Sequence, residues 1–157
     1  MTITAGALYP VTASDDHPPI VAGTLGSIKT LLHVDLSRSG YSLTASEVLD
    51  HLKSAVLFYA SWATLEVQRR QTEGSTTPLP IDETLTLDAY EWKIIEPLAR
   101  AECDVMQAYR SEAARSMGMD AYGLGVSEAV QVLMELKRPE NIPKQAFVAE
   151  PFSIDLD

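Results

Sequence analysis

One acidic side chain lies on a helical stripe whose other residues are small or apolar. Between Leu98 and Ala113, small and apolar residues recur at helical spacing, and Glu102 falls near the middle of that stripe. A carboxylate in such a place is either buried with a hydrogen-bonding partner or marks the edge where the stripe meets solvent. We expect a structural acid, satisfied by a tyrosine hydroxyl or by an arginine from the first helix. The pair Glu66 and Arg70, spaced four residues apart, is the natural candidate to meet it.

The other reactive residue types match no catalytic or metal-binding pattern. His17, His33 and His51 are not spaced as paired metal ligands on a helix, and neither HExxH nor Glu-x-x-His occurs. The serine of "GVSEA" lacks the second glycine of a nucleophile elbow. The "GLG" at 123–125 has no preceding strand, so we interpret it as a turn. We therefore predict no enzymatic activity, no metal and no cofactor.

The single cysteine, Cys103, excludes an intramolecular disulfide. On a helical wheel it lies away from the main apolar stripe, and no histidine is near it in the sequence, so we interpret it as a passive residue. The first residues, "MTITAGALYPVTASDD", lack the basic start and the apolar block of a signal peptide. These features predict synthesis in a reducing cytoplasm.

The composition indicates an ordinary globular protein with an acidic surface. Of 157 residues, 46 % are hydrophobic and 22 % are charged, and the net charge is −10. Residues 81–157 carry 7 basic and 15 acidic side chains, so most of the negative charge lies in the second half. Such a surface repels nucleic acid backbones and anionic lipid, which argues against DNA gripping and membrane adsorption. DNA could still slide past it without sticking.

The pattern of elements predicts a mainly α protein, a small helical bundle with a kinked long helix. Residues 1–43 are rich in Thr, Ser, Gly and Pro and are predicted to form an irregular N-terminal arm, to which "SIKTLLHVDL" adds a short helix or strand. Residues 44–138 are the predicted helical core domain. Residues 139–157 are predicted to form an extended C-terminal arm.

The first core helix is predicted to begin at a capping box, "TASE", formed by Thr44 and Glu47, and to run to about Gln71. One apolar stripe on this helix faces the core. A second apolar line lies about 100° away on the wheel, so the helix is either wrapped by its own domain or in contact with another subunit. This second line, a candidate partner-binding surface, consists of Phe58, Trp62 and Leu65.

The second helical block contains a proline. Thr86 is its candidate N-cap, and Pro97 cannot donate an amide hydrogen and clashes with the preceding turn. We predict a short helix over 87–95, a bend, and a long helix over 96–117. A third helix is predicted to be capped by Ser127 and to end by Arg138, ahead of a proline.

The closing stretch, "KQAFVAEPFSIDLD", is partly alternating and β-prone, and it is too short to form a hairpin with itself. An extended segment of this kind either adds to a sheet edge or lies across a neighbouring surface. Its candidate partner-binding anchors are Phe147, Val148, Phe152 and Ile154.

The second half of the chain resembles the head-to-tail connector proteins of tailed bacteriophages, also called adaptor or head-completion proteins. The resemblance rests on "EWKIIEPLARAECDVMQAYRSEAARSMG", "DAYG", "VSEAV" and "IPKQAFVAEPFSI", all within residues 91–154. It implies a homo-oligomeric ring in the virion, expected to be a dodecamer, that docks beneath the portal protein and contacts the next tail or collar protein. DNA would pass through an acidic lumen without being gripped. Connectors are often shorter, so the long N-terminal arm departs from the pattern.

Three other classes stay open at this point. The chain could be a small helical adaptor or regulatory protein that binds one soluble partner, or another structural protein of a virion. An enzyme with an unrecognised carboxylate site is a third class. The mass of the particle in solution separates a ring from a small adaptor.

Overall fold

A computed structural model of the protein describes residues 21–70, 77, 79–120 and 123–149. These residues form a small, mainly helical bundle with one two-stranded antiparallel sheet, which confirms the predicted fold class. In chain order the elements are β1 (Val21–Thr24), α1 (Leu25–Arg38), α2 (Ala45–Ala60), α3 (Glu66–Arg69), β2 (Thr86–Asp88), α4 (Ala89–Ser116), α5 (Val126–Lys137) and α6 (Ile142–Ala149).

Residues 21–38 form β1 and α1 instead of an irregular arm, and the short helix or strand expected over 27–36 is part of α1; residues 1–20 lie outside the described residues. Thr24 caps α1 through its side chain. The helix buries Leu25, Ile28, Leu32 and Leu36, spaced three and four residues apart, and these join the same core as α2 and α4. Residue 43 is therefore not a domain boundary. The serines, threonines and glycines around this stripe obscured it in the sequence.

The sheet joins the segment before α1 to the segment before α4. Strands β1 and β2 are antiparallel, with Val21 opposite Asp88 and an irregularity in register before Gly23. Gly23 has a φ of +132°, and a Cβ at this position would lie 2.6 Å from Ser27 Oγ. The bulge therefore requires glycine, because a side chain would meet both backbone strain and a steric clash.

The capping box at Thr44 and Glu47 is present, and α2 begins where predicted. The helix ends at Ala60, however, rather than near Gln71. The end of the helix was misplaced because the turn after α2 also buries apolar residues, and these continue the helical spacing of apolar positions in the sequence. Spacing in the sequence does not separate a buried turn from a further turn of helix. These turn residues are Ala63 and Leu65.

The two helices predicted on either side of Pro97 form one element, α4, of 28 residues. Its N-cap is Asp88 rather than Thr86, which belongs to β2. Pro97 leaves the carbonyl of Lys93 without its amide partner, and both residues are exposed, so water can bind that carbonyl. A proline on the solvent side of a long helix costs less than one facing the core.

The C-terminal region is helical as far as it is described. Helix α5 starts after Gly125 rather than Ser127, and it ends at Lys137 ahead of Pro139, as predicted. The extended arm predicted over 139–157 was wrong for 142–149, which form α6. Pro143 is compatible with this helix because amides in the first turn have no intrahelical acceptor. Residues 150–157, with Phe152 and Ile154, lie outside the described residues.

Candidate functional site

Glu102 links three helices. Only 7 % of its surface is exposed. Ser54 Oγ on α2 and Lys137 Nζ on α5 both donate to Glu102 Oε1, at 3.0 and 3.1 Å. His51 Nδ1, also on α2, lies 3.7 Å from Glu102 Oε2. The carboxylate therefore ties α2 and α5 to α4.

The electrostatics of Glu102 are those of a satisfied structural acid. Burial alone would raise its pKa, but contacts with His51, Lys137 and Ser54 outweigh burial, and the pKa is lowered. The carboxylate is thus ionised at neutral pH. The prediction that Glu66 and Arg70 contact Glu102 was wrong. Helix α2 ends at residue 60, so Glu66 begins α3 and Arg70 follows it, beside β2.

Glu66 and Arg70 belong to a second acidic cluster at the start of α4. They form the predicted pair, at 3.3 Å between Arg70 Nε and Glu66 Oε1. Arg70 Nη2 also contacts the buried Asp88, at 2.7 Å from Oδ2. Glu91 accepts two backbone N–H groups, from Glu66 at Oε1 and from Asp88 at Oε2, at 2.8 and 2.9 Å. This cluster joins α3, β2 and α4.

Glu91 is fully buried. Burial raises its pKa, and the nearby charges of Asp88 and Glu66 raise it further, against the two backbone hydrogen bonds. Because both of its oxygens are used in holding backbone, Glu91 is a structural residue like Glu102. The sequence offered one signal for it, the Asp88-x-x-Glu91 spacing of a capping box.

A third polar cluster attaches the loop that connects α1 and α2 to the side of α4. Tyr41 donates a short hydrogen bond to Asp104, and burial followed by this contact raises the pKa of Tyr41 to about 12. Arg110 donates to the carbonyl of Ser42 and pairs with Glu47. The three clusters share one feature: in each of them, carboxylates hold two or more elements of the fold together.

Cys103 is fully buried although it lies away from the main apolar stripe on the helical wheel, so α4 is covered on that side as well. Burial raises the pKa of its thiol to about 12. Within the described ranges, no group of three or more His, Cys, Asp and Glu side chains could hold a metal ion. In the same part of the chain, no helix is long and apolar enough to cross a membrane.

The predicted partner-binding residues divide between core and surface. Leu65 is buried in the core, at 3 % exposure, and cannot contact a partner. Phe58 is half-buried against the core, and Lys137 Nζ lies 5.3 Å from its ring centroid. Trp62 is 46 % exposed. The second apolar line of the first helix is therefore largely covered by its own domain, and only Trp62 stays available.

The α6 residues among those predictions are the most exposed. Phe147 and Val148 are 71 % and 72 % exposed, whereas Ile142 and Ala146 of the same helix are buried. Helix α6 therefore has one side in the core and an apolar outer side that no described residue covers. Successive residues of a helix point about 100° apart, so this outer side is broad.

An open groove lies between α6 and the first turns of α4. It has a volume of about 660 Å³. Its lining residues are Tyr90, Lys93, Ile94, Glu140, Lys144, Gln145 and Val148. The sequence analysis missed this groove, although Tyr90 and Ile94 are an apolar i, i+4 pair that indicated a second face on α4. Its other wall was invisible because α6 was predicted to be extended.

Comparisons of the chain with models of protein families, with curated proteins and with solved structures find no match.

Proposed function

We propose that the protein is a structural component of a tailed-bacteriophage virion, a head-to-tail connector that forms a homo-oligomeric ring beneath the portal protein. The observation that carries the proposal is the uncovered apolar side of α6, where Phe147 and Val148 stand next to each other with more than two thirds of their surfaces exposed. Scattered exposed apolar residues are common on monomers, but an adjacent pair beside an open groove is typical of an interface.

The three carboxylate clusters support a structural role. Glu91 and Glu102 each accept two hydrogen bonds inside the domain, and Asp104 accepts one from Tyr41. Because these contacts join separate elements of the fold, the acids contribute rigidity. A ring subunit that transmits force between head and tail needs such rigidity.

The charge supports a wall that DNA passes without being gripped. The net charge is −10, and exposed acids lie on the second half of α4, in the connection after it and on α5. Repulsion between this surface and the phosphate backbone disfavours binding to DNA. These acids include Glu112, Asp120, Glu128 and Glu135.

The test is assembly of the purified full-length chain, alone and with the portal protein of the same phage, followed by light-scattering mass and negative-stain imaging. We expect a ring with a central channel, either alone or on the portal. The double variant Phe147→Ser with Val148→Ser should lose the ring and keep the helical circular dichroism. The control, Leu31→Ser on α1, removes an equally exposed apolar residue and should assemble normally.

A chain that never forms a ring and never binds the portal would refute the connector function. If it instead bound a single soluble protein in a one-to-one complex, the adaptor class would replace it. Incorporation at another place in the virion would make it a different structural protein of the particle.

A further inference from the structure

The groove between α4 and α6 is lined by both apolar and basic side chains. Tyr90, Ile94 and Val148 supply the apolar surface, and Lys93 and Lys144 stand exposed beside it. In a chain with 12 basic and 22 acidic side chains, two lysines on one groove are a local excess of positive charge, which the single acid Glu140 only partly offsets.

These two lysines are also available. Elsewhere, Lys29 pairs with Glu83 and Lys137 pairs with Glu102. Neither Lys93 nor Lys144 has an ion-pair partner among the residues that the structure describes. An acidic ligand with an apolar side would therefore fit this groove without displacing an internal salt bridge.

The chain's own C-terminal sequence has that chemistry. In "FSIDLD", the last six residues of the printed sequence, apolar and polar residues alternate strictly. In an extended backbone, alternate residues point to opposite sides. Such a segment would place Phe152, Ile154 and Leu156 on one side, toward the apolar lining of the groove. Its two aspartates, Asp155 and Asp157, would lie on the opposite, outer side, where the long side chains of the exposed Lys93 and Lys144 can reach them.

The position of α6 decides which copy supplies the segment. Val148 already lines the groove, and α6 ends one residue later at Ala149. To enter its own groove the chain would have to reverse direction at once. That reversal would use Glu150, Pro151 and Phe152 in the turn, yet the residue before a proline favours extended backbone. A segment arriving from another copy needs no reversal.

We propose that the groove lined by Tyr90, Lys93, Ile94, Lys144 and Val148 binds residues 150–157 of a second copy of this chain. The contact runs head to tail from each subunit to the next, so it closes a ring when the rotation between neighbours allows. The inference rests on the proposed function for the ring itself, and it adds the contact that joins its subunits.

Charge reversal in the full-length chain tests the pairing. The groove variant carries Lys93→Glu and Lys144→Glu, and the segment variant carries Asp155→Lys and Asp157→Lys. We expect each variant alone to weaken self-association at least tenfold, measured by sedimentation velocity over a range of concentrations, with and without the portal protein. A control with Arg38→Glu and Lys53→Glu makes the same change in net charge away from the groove and should associate as the wild type does.

Mixing the two variants identifies the copy. If the segment binds in trans, the basic segment of one variant fits the acidic groove of the other, and the wild-type segment fits the wild-type groove. Association of the equimolar mixture should then return to within about threefold of the wild type. Recovery only when all four changes are in one chain would mean that the segment binds its own groove, and the proposal would be wrong.

The failures of the two proposals are distinguishable. Wild-type rings that the groove variant leaves unchanged would overturn the groove contact and leave the connector function standing. A wild-type chain that stays monomeric with and without the portal would overturn both. As a check that does not depend on the charges, a photoreactive residue at Ile154 should cross-link to the peptide containing Ile94 of a differently isotope-labelled copy.

Discussion

The two buried glutamates of α4 should respond oppositely to the same small substitution. Glu91 uses both oxygens, one for the backbone N–H of Glu66 and one for that of Asp88. Glu102 accepts both of its hydrogen bonds, from Ser54 and Lys137, at Oε1. Glutamine has one carbonyl oxygen, so it can replace Glu102 at that oxygen but cannot replace Glu91.

The expected magnitudes follow from these contacts. In Glu91→Gln the NH₂ group, a donor, faces a buried backbone N–H. Loss of the acceptor lowers the free energy of unfolding by about 1–3 kcal/mol. Removal of the charge also relieves repulsion from Asp88 and Glu66, which places the cost toward the lower end of that range. For a chain of this size, about 2 kcal/mol lowers Tm by about 4–8 °C. Glu102→Gln keeps the acceptor at Oε1 and loses the charge opposite Lys137 and His51, which are both partly exposed, so the cost stays below about 1 kcal/mol.

Thermal and urea unfolding followed by circular dichroism at pH 7 measure both variants. Glu112→Gln, at an exposed position of the same helix, is the control and should melt as the wild type does. Glu102→Ala, which removes both hydrogen bonds at once, should cost about 1–3 kcal/mol. If Glu102→Gln destabilises as much as Glu91→Gln, the assignment of acceptors to oxygens is wrong. If Glu102→Ala also melts at the wild-type midpoint, Glu102 lies in water.

Three further outcomes are expected. The pKa of Glu102 is lowered from 4.5 in the folded state, so ionised Glu102 stabilises the fold fully above pH 4.5. This contribution is lost as the pH falls through the folded-state pKa. The unfolding free energy of the wild type should therefore fall more steeply below pH 4.5 than that of Glu102→Gln. Parallel curves would contradict this. Gly23→Ala should cost about 1–3 kcal/mol because of its positive φ and the contact with Ser27. Gly125→Ala, which has no atom within 4 Å of its added Cβ and loses only a glycine N-cap, is the control and should cost less; equal melting of the two would show that the bulge relaxes. Pro97→Ala should leave the monomer as stable or more so and impair assembly if the shape of α4 matters; unchanged assembly would make the proline incidental.

Local signals in the sequence predicted individual elements well. The capping box at Thr44 located the start of α2, and the proline at 139 located the end of α5. Both signals act within one turn of backbone, whereas the equally local cap signals at Thr86 and Ser127 were overridden by the fold. The helical class followed in the same way from apolar spacings of three and four residues.

Partners across the fold could not be predicted from local signals. Glu102 was expected to contact Glu66 or Arg70. Helix α2 ends at Ala60, however, and the chain turns, which places that pair at the start of α4, away from Glu102. The actual partner Lys137 lies 35 residues further along the chain, and its place depends on how α5 returns along α4. A helix end misplaced by a few turns therefore moves every predicted contact beyond it.

The C-terminal region shows how one helix can belong to the domain and to an interface at once. The sequence predicted an arm ordered only on a neighbour, with its anchors starting at Phe147. The structure buries Ile142 and Ala146 of α6 in the domain and leaves Phe147 and Val148 outside. A deletion that began at residue 146 would therefore remove core and interface together, and loss of assembly would say nothing about binding. Changes confined to Phe147, Val148 or residues beyond Ala149 leave the buried side of α6 in place, so only they separate folding from assembly.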